Sequence, residues 1–279
     1  MEICLRKAVT LGESHLYTCR PINDPGAFNI PLDILEEIFL NLPAHKVVCV
    51  CRLVCHHWKD VADNESLWRQ RCRREGYNLH ESSKVPSDWR FFYFMCKKRR
   101  NLIKNPRGED EFKDWTIVRN GGDGWRVEKP IALHPNAEVQ TNFVTSFRMC
   151  TKSQLIDLVN EGYSQAFMDE VQPHIKSNYK DLGRIHFKIY FMTDPQLNAL
   201  QTLAFKLITQ MAMSYNLNLC KEIPYTRWMI HVFKDYGPGV RYVYFEHGGK
   251  DSVFWAGWYG IRLTETSIEL CPALDKQNY

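Results

Sequence analysis

The periodicity of the chain changes once, at Pro106-Arg107-Gly108. Upstream of that tripeptide, from Ile30 on, apolar residues recur three and four apart, the spacing of one helix face. Downstream they alternate, the spacing of a strand. Two periods kept in separate stretches predict an α+β multidomain chain, with helices first and an antiparallel sheet structure after them. With 279 residues there is room for two compact domains.

Residues 1–27 carry no sustained period and end in the turn-rich "PINDPGA", so they read as a flexible leader. In "IPLDILEEIFLNLP", Leu32, Leu35, Ile38 (with Phe39) and Leu42 share helical spacing between Pro31 and Pro43. "AHKVVCVCRLVCHHWKDVA" puts Val47, Val50, Cys51, Val54, Cys55 and Trp58 on one stripe, and "NESLWRQRCRREG" makes a third short helix ending at Gly76. Three helices in about 45 residues are too few to bury a self-sufficient core, so residues 28–75 are expected to need a partner. Residues 76–107 read as a helical linker, aromatic first and basic after, in "SDWRFFYFMCKKRRNLIKN".

Residues 108–279 read as a β-sandwich. "DWTIVRNGGDGWRVEKP" suggests two short strands around a glycine turn, "RIHFKIYF" alternates with Ile185, Phe187, Ile189 and Phe191 on one face, and "TRWMIHVFKDYGPGVRYVYFEHGG" suggests two strands around Gly-Pro-Gly. "TETSIELCP" supplies a last strand. "KSQLIDLVNEGY" places Leu155, Leu158 and Val159 at helical spacing and predicts a helical insert, while "QLNALQTLAFKLITQM" fits a helix and a strand equally.

Charge and chemistry exclude several classes. Residues 44–107 hold fifteen Lys/Arg against six Asp/Glu, a basic block that could meet nucleic acid but reads first as solvated helix faces. No apolar run is long enough to span a membrane, and "MEICLRKAVTLGESHLYTC" does not resemble a secretory signal. The ten cysteines are therefore expected to be reduced thiols of a cytoplasmic protein. The densest metal-like cluster, Cys49, Cys51, Cys55, His56 and His57, has no second ligand pair facing it, and its thiols read as packing residues. Adjacent Cys55 and His56 point about 100° apart on a helix and cannot act as a nucleophile and base. With no phosphate loop or nucleophile elbow either, the expectation is a non-catalytic chain with no metal and no cofactor. Asn64-Glu65-Ser66 has the form of a glycosylation acceptor but lies in a helical segment, where the match is chance.

What remains is "HGGKDSVFWAGWYG", residues 247–260. Sugar rings stack their C–H faces on aromatic side chains while their hydroxyls need a few fixed polar partners, and Phe254-Trp255 beside Lys250 and Asp251 suits that chemistry. Sheet aromatics more commonly turn inward, which is the expectation for Trp258 and Tyr259.

Two stretches carry a family resemblance. "IPLDILEEIFLNLPAHKVVCVCRLVCHHWKDVADNESLW" resembles an F-box, and "RNLIKNP", "NGGDGWRVE", "FVTSF", "KSQLIDLVNEGY", "DYGPGVRYVYFEHGGKD" and "FWAGWYG" resemble the F-box-associated domain of the glycoprotein-binding F-box proteins. The resemblance implies a three-helix F-box followed by a galactose-binding-like sandwich. It implies a non-catalytic substrate-recognition subunit of an SCF (Skp–cullin–F-box) ubiquitin ligase, with the Skp adaptor contacted by Pro31, Leu32, Leu35, Ile38, Leu42 and Pro43. It further implies that the chitobiose core of N-linked high-mannose glycans lies on Phe254, Trp255 and Ala256 and on a ring from "TNFVTSF", Phe147 by preference or Phe143. Such a protein would direct retrotranslocated glycoproteins to ER-associated degradation. The chain departs from the family pattern at Ser164-Gln165, where Trp follows "EGY" in relatives, and at the shorter "KSNYKDLGR". The alternatives are a ligase subunit that reads protein surfaces without sugar, and a nucleic-acid-binding protein acting through residues 44–107.

Overall fold

The computed structural model describes residues 30–77, 86–131, 134, 136–181, 185–194, 227–251 and 255–272. The described residues divide into two compact units, one running to Arg99 and the other from Arg100 to Cys271.

Among the described residues of the first unit the helices are α1 (Leu32–Asn41), α2 (Ala44–Cys49), a 3-10 turn (Cys51–Leu53), α3 (His56–Asp63), α4 (Glu65–Arg74) and α5 (Trp89–Lys98). The stretch from Ala44 expected as one helix is thus broken twice. The break matters because it splits the expected stripe: Val47 and Cys51 are buried, whereas Val50, Val54 and Cys55 are exposed. Asn64 explains the start of α4, since its Oδ1 accepts the N–H of Ser66 at 2.9 Å. That local capping role accounts for the acceptor-like tripeptide. Trp68 is fully buried and sits 5.5 Å from Tyr93 and 5.4 Å from Phe94, so the aromatic part of α5 closes the helical core. The stretch read as a helical linker therefore divides. Its helix ends at Lys98, and residues beyond Arg99 join the second unit, where Leu102 N–H donates to Ile268 C=O at 2.8 Å.

Among the described residues, the second unit holds ten strands in three antiparallel sheets. One holds β1 (Thr116–Asn120), β4 (Cys150–Asp157), β8 (Tyr242–Gly249) and β6 (Ile185–Met192), in the order β1-β4-β8-β6. A second, β10-β5-β7, joins Ser267–Cys271, His174–Asp181 and Arg227–Phe233. A small third, β2-β3-β9, joins Arg126–Glu128, Asn142–Val144 and Arg262–Leu263. Ile156, Ile189, Phe191, Val243 and Phe245 from the first sheet are buried, as are Ile175, Phe233, Ile268 and Leu270 from the second. Phe191 meets Phe233 edge-on at 5.0 Å, tying these two sheets together. Alternation in "RIHFKIYF" is real at Ile189 and Phe191; the side chains of Ile185 and Phe187 lie outside the described residues.

Pairing differs from what adjacency in sequence suggests. β1 and β2 flank the glycine turn yet belong to different sheets, and so do β7 and β8 on either side of Gly-Pro-Gly.

The helical insert expected over "KSQLIDLVNEGY" is a strand as far as Asp157 and a turn beyond it. β4 pairs with β1 on one side and β8 on the other, and this two-sided ladder overrides the helical spacing of Leu155, Leu158 and Val159. Asp157 ends the strand by accepting the N–H groups of Val159 and Asn160 at 2.9 and 3.1 Å. A helix lies later, α6 (Gln165–Glu170), where the hydroxyl of the departing Ser164 caps the N–H of Phe167 at 3.3 Å. The ambiguous stretch 196–211 lies outside the described residues.

Candidate functional site

On the helical unit, α1 is apolar on two sides. Leu35 and Phe39 are fully buried, while Leu32 and Ile38 keep 58% and 41% of their surface exposed. Pro31 and Pro43 are exposed and Leu42 is half-buried. Leu35 is therefore corrected from an adaptor-facing residue to a core residue, because a side chain without accessible surface cannot meet a partner. The sequence reading missed Ile34 and Leu53 as exposed apolar residues and placed Val50 and Val54 on an inward stripe; all four stand in solvent.

Much of the basic block is already engaged. Arg71 is buried, donating to the C=O groups of Phe39 and Leu42. Arg52 and Arg90 both meet Asp63, Arg74 meets Glu37 at 2.8 Å, and Lys97 meets Glu75 at 2.6 Å. Of the cysteine cluster, Cys51 is buried in the 3-10 turn, where burial raises its thiol pKa, and Cys55 is exposed at the N-cap of α3.

On the sandwich unit three loops converge. The glycine turn after β1 places Asp123 so that its Oδ2 accepts the N–H of Gly257 at 2.5 Å. Ser146, from the loop after β3, accepts the N–H of Asp123 at 3.0 Å and donates its hydroxyl to Gly257 C=O at 2.9 Å. Ser146 C=O also accepts Asp251 N–H at 3.0 Å, at the base of the aromatic loop. Gly122 has φ +66°, and a Cβ there would come within 2.9 Å of the Phe147 ring. Only glycine lets that turn press against Phe147.

Trp255 is 66% exposed on this loop and Ala256 beside it is exposed. Phe147 is half-buried, with the Arg148 guanidinium 5.9 Å from its ring centre. Phe254 lies outside the described residues. Phe143 is corrected from candidate ligand to core: it has no exposed surface, and its ring lies 5.5 Å from Phe112 and 5.9 Å from Trp115. Trp258, expected to turn inward, is half-buried, with Arg126 4.9 Å from its ring centre. Tyr259 departs from expectation: 61% of it is exposed, standing 6.4 Å from Trp255. An exposed aromatic corner on hydrogen-bonded loops can stack an apolar ring face, and the exposed Asp123 carboxylate can accept from its hydroxyls.

Known proteins bear on both units. A family model described as "F-box-like" matches residues 27–74, and one described as "F-box associated region" matches residues 93–270. F-box only protein 6 of Bos taurus is 40% identical over 86% of this chain and 91% of its own length. F-box only protein 44 of Homo sapiens is 37% identical over 88% and 96% respectively, and F-box only protein 2 of Bos taurus 35% over 87% and 83%. An F-box implies a Skp adaptor and, through it, a cullin. With an F-box followed by an F-box associated region, the chain belongs to the F-box only family, the substrate-recognition subunits of SCF ubiquitin ligases.

Proposed function

We propose that this subunit recruits N-glycosylated proteins for ubiquitination, holding the chitobiose core of high-mannose glycans on the loops that carry Phe147, Trp255 and Ala256. The observation that carries the reading is the exposure of Trp255 on a loop whose backbone is held by Asp123 and Ser146. An aromatic face kept in water by a fixed backbone costs little further entropy on binding, which suits a shallow sugar site. The helical unit would carry the docking surface. Pro31, Leu32, Ile38, Leu42 and Pro43 would meet the Skp adaptor, with Ile34, Val50, Leu53 and Val54 extending that surface. The chain itself makes and breaks no bond; it raises the local concentration of substrate near the conjugating enzyme. Glycoproteins withdrawn from the endoplasmic reticulum are the substrates that such a cytoplasmic reader would meet, which puts its role in ER-associated degradation.

Nucleic-acid binding is disfavoured by the internal pairing of Arg52, Arg71, Arg74, Arg90 and Lys97. The test is a titration of the full chain with soluble chitobiose, followed by tryptophan fluorescence, beside Trp255→Ala. A saturable change lost in the variant is expected. A folded wild-type chain that gives no response would leave a subunit that reads protein surfaces only.

A further inference from the structure

Trp255 and Tyr259 stand at right angles, with an interplanar angle of 88° and ring centres 6.4 Å apart. Single exposed aromatics on a protein surface need no explanation. This pair differs because the backbone around Tyr259 is fixed on both sides. Before it, Gly257 has φ +114°, its N–H is held by Asp123 and its C=O by Ser146. A Cβ on Gly257 would fall 2.9 Å from the edge of the Tyr259 ring, so glycine is what allows the ring to lie over the chain. After it, Gly260 N–H donates to Thr145 C=O at 3.0 Å, and a Cβ on Gly260 would collide with Thr145 at 2.2 Å. Ile261 N–H adds a bond to Thr145 Oγ1 at 2.9 Å. Tyr259 is thus positioned by backbone contacts rather than by burial of its ring, the arrangement of a preorganised contact residue.

We infer that Tyr259 is a second wall of the sugar platform, meeting the edge of a pyranose whose C–H face stacks on Trp255. The inference rests on the glycan reading and extends it to a residue that neither composition nor the family resemblance assigns. Two perpendicular rings make a corner, and a corner restricts the orientation in which a flat ring can lie, where a lone tryptophan would accept several. The ring of Tyr259, more than its hydroxyl, supplies this restriction.

The experiment compares Tyr259→Ala, Tyr259→Phe and wild type in the full chain, titrated with chitobiose by calorimetry, with melting temperatures recorded alongside. Loss of one aromatic contact is expected to weaken Tyr259→Ala about tenfold, with Tyr259→Phe within about twofold of wild type. Melting temperatures should match in all three, because the ring is exposed. Wild type that binds while Tyr259→Ala binds equally well overturns the inference and leaves the glycan reading standing. Equal losses in both variants overturn the assignment to the ring, and a large fall in melting temperature for Tyr259→Ala makes the residue structural. Wild type that does not bind at all overturns the glycan reading and this inference together.

Discussion

The carboxylate of Asp123 accepts the backbone N–H of Gly257 at 2.5 Å, joining two loops 134 residues apart in sequence. Ser146 closes the same junction from a third loop, so the aromatic segment after Gly249 is held by two other stretches of chain that it meets only in the folded domain. Removing the carboxylate with Asp123→Ala frees one end of that loop. A charge-assisted hydrogen bond is worth about 1.5–3 kcal/mol, so affinity for chitobiose should fall roughly tenfold or more. Calorimetric titration checks this, and unchanged affinity would show that the loop holds its shape without Asp123.

Trp255→Ala should abolish chitobiose binding and leave the melting temperature within a few degrees of wild type, since two thirds of the side chain is already in water. Unfolding of the sandwich in this variant would mean that the indole packs inside, contrary to its exposure.

On the proposed docking surface, exposed and buried leucines share one helix, so docking and folding can be tested apart. Leu32→Asp combined with Leu53→Asp should abolish co-purification with the Skp adaptor while the helical circular dichroism is retained. Leu35→Asp should instead unfold the unit, because a carboxylate buried without a partner costs several kcal/mol. A soluble, folded Leu35→Asp protein that merely loses the adaptor would restore Leu35 to the interface.

Lys152 is buried in the sandwich with its Nζ 3.1 Å from the Trp115 ring centre and 3.4 Å from that of Phe143, opposite His247 on β8. Burial pushes the pKa of Lys152 well down, and it does the same to His247, with the Lys152 charge adding to the effect there. The aromatic faces attract the ammonium and offset part of the cost, but desolvation of an uncompensated charge is the larger effect. Both groups bind fewer protons folded than unfolded, so stability rises with pH. The contribution of His247 is lost as pH falls below the ordinary histidine value of about 6.5, and that of Lys152 as pH falls from the ordinary lysine range near 10.5 towards its depressed value. Lys152→Met should raise the melting temperature at neutral pH, by roughly 2–4 °C for each kcal/mol gained, and flatten its dependence on pH above 7. Calorimetry between pH 5 and 9 measures both; a lower melting temperature in the variant would mean that the amine stabilises the core.

Sequence by itself determined the division into a helical and a β module, and it supplied the expectations of a partner for the small helical unit and of a ligand at the aromatic loop. These follow from short-range properties: helical spacing, alternation, and the density of rings between glycines. Only the tertiary structure decided which side of each element faces inward. Leu32 and Leu35 belong to the same apolar pattern, yet one is exposed and the other buried, because helices α2 to α4 cover only one side of α1. Phe143 and Phe147 sit four apart, and pairing of β3 with β2 and β9 sends the first into the core. Leu155, Leu158 and Val159 have helical spacing, but the residues up to Asp157 become a strand through pairing with β1 and β8, partners distant in sequence. Tyr259 looks like an ordinary sheet aromatic until the long-range bonds of Asp123, Ser146 and Thr145 hold its backbone outward. Periodicity reports which residues are apolar and how often, whereas burial depends on which distant segments arrive to cover them.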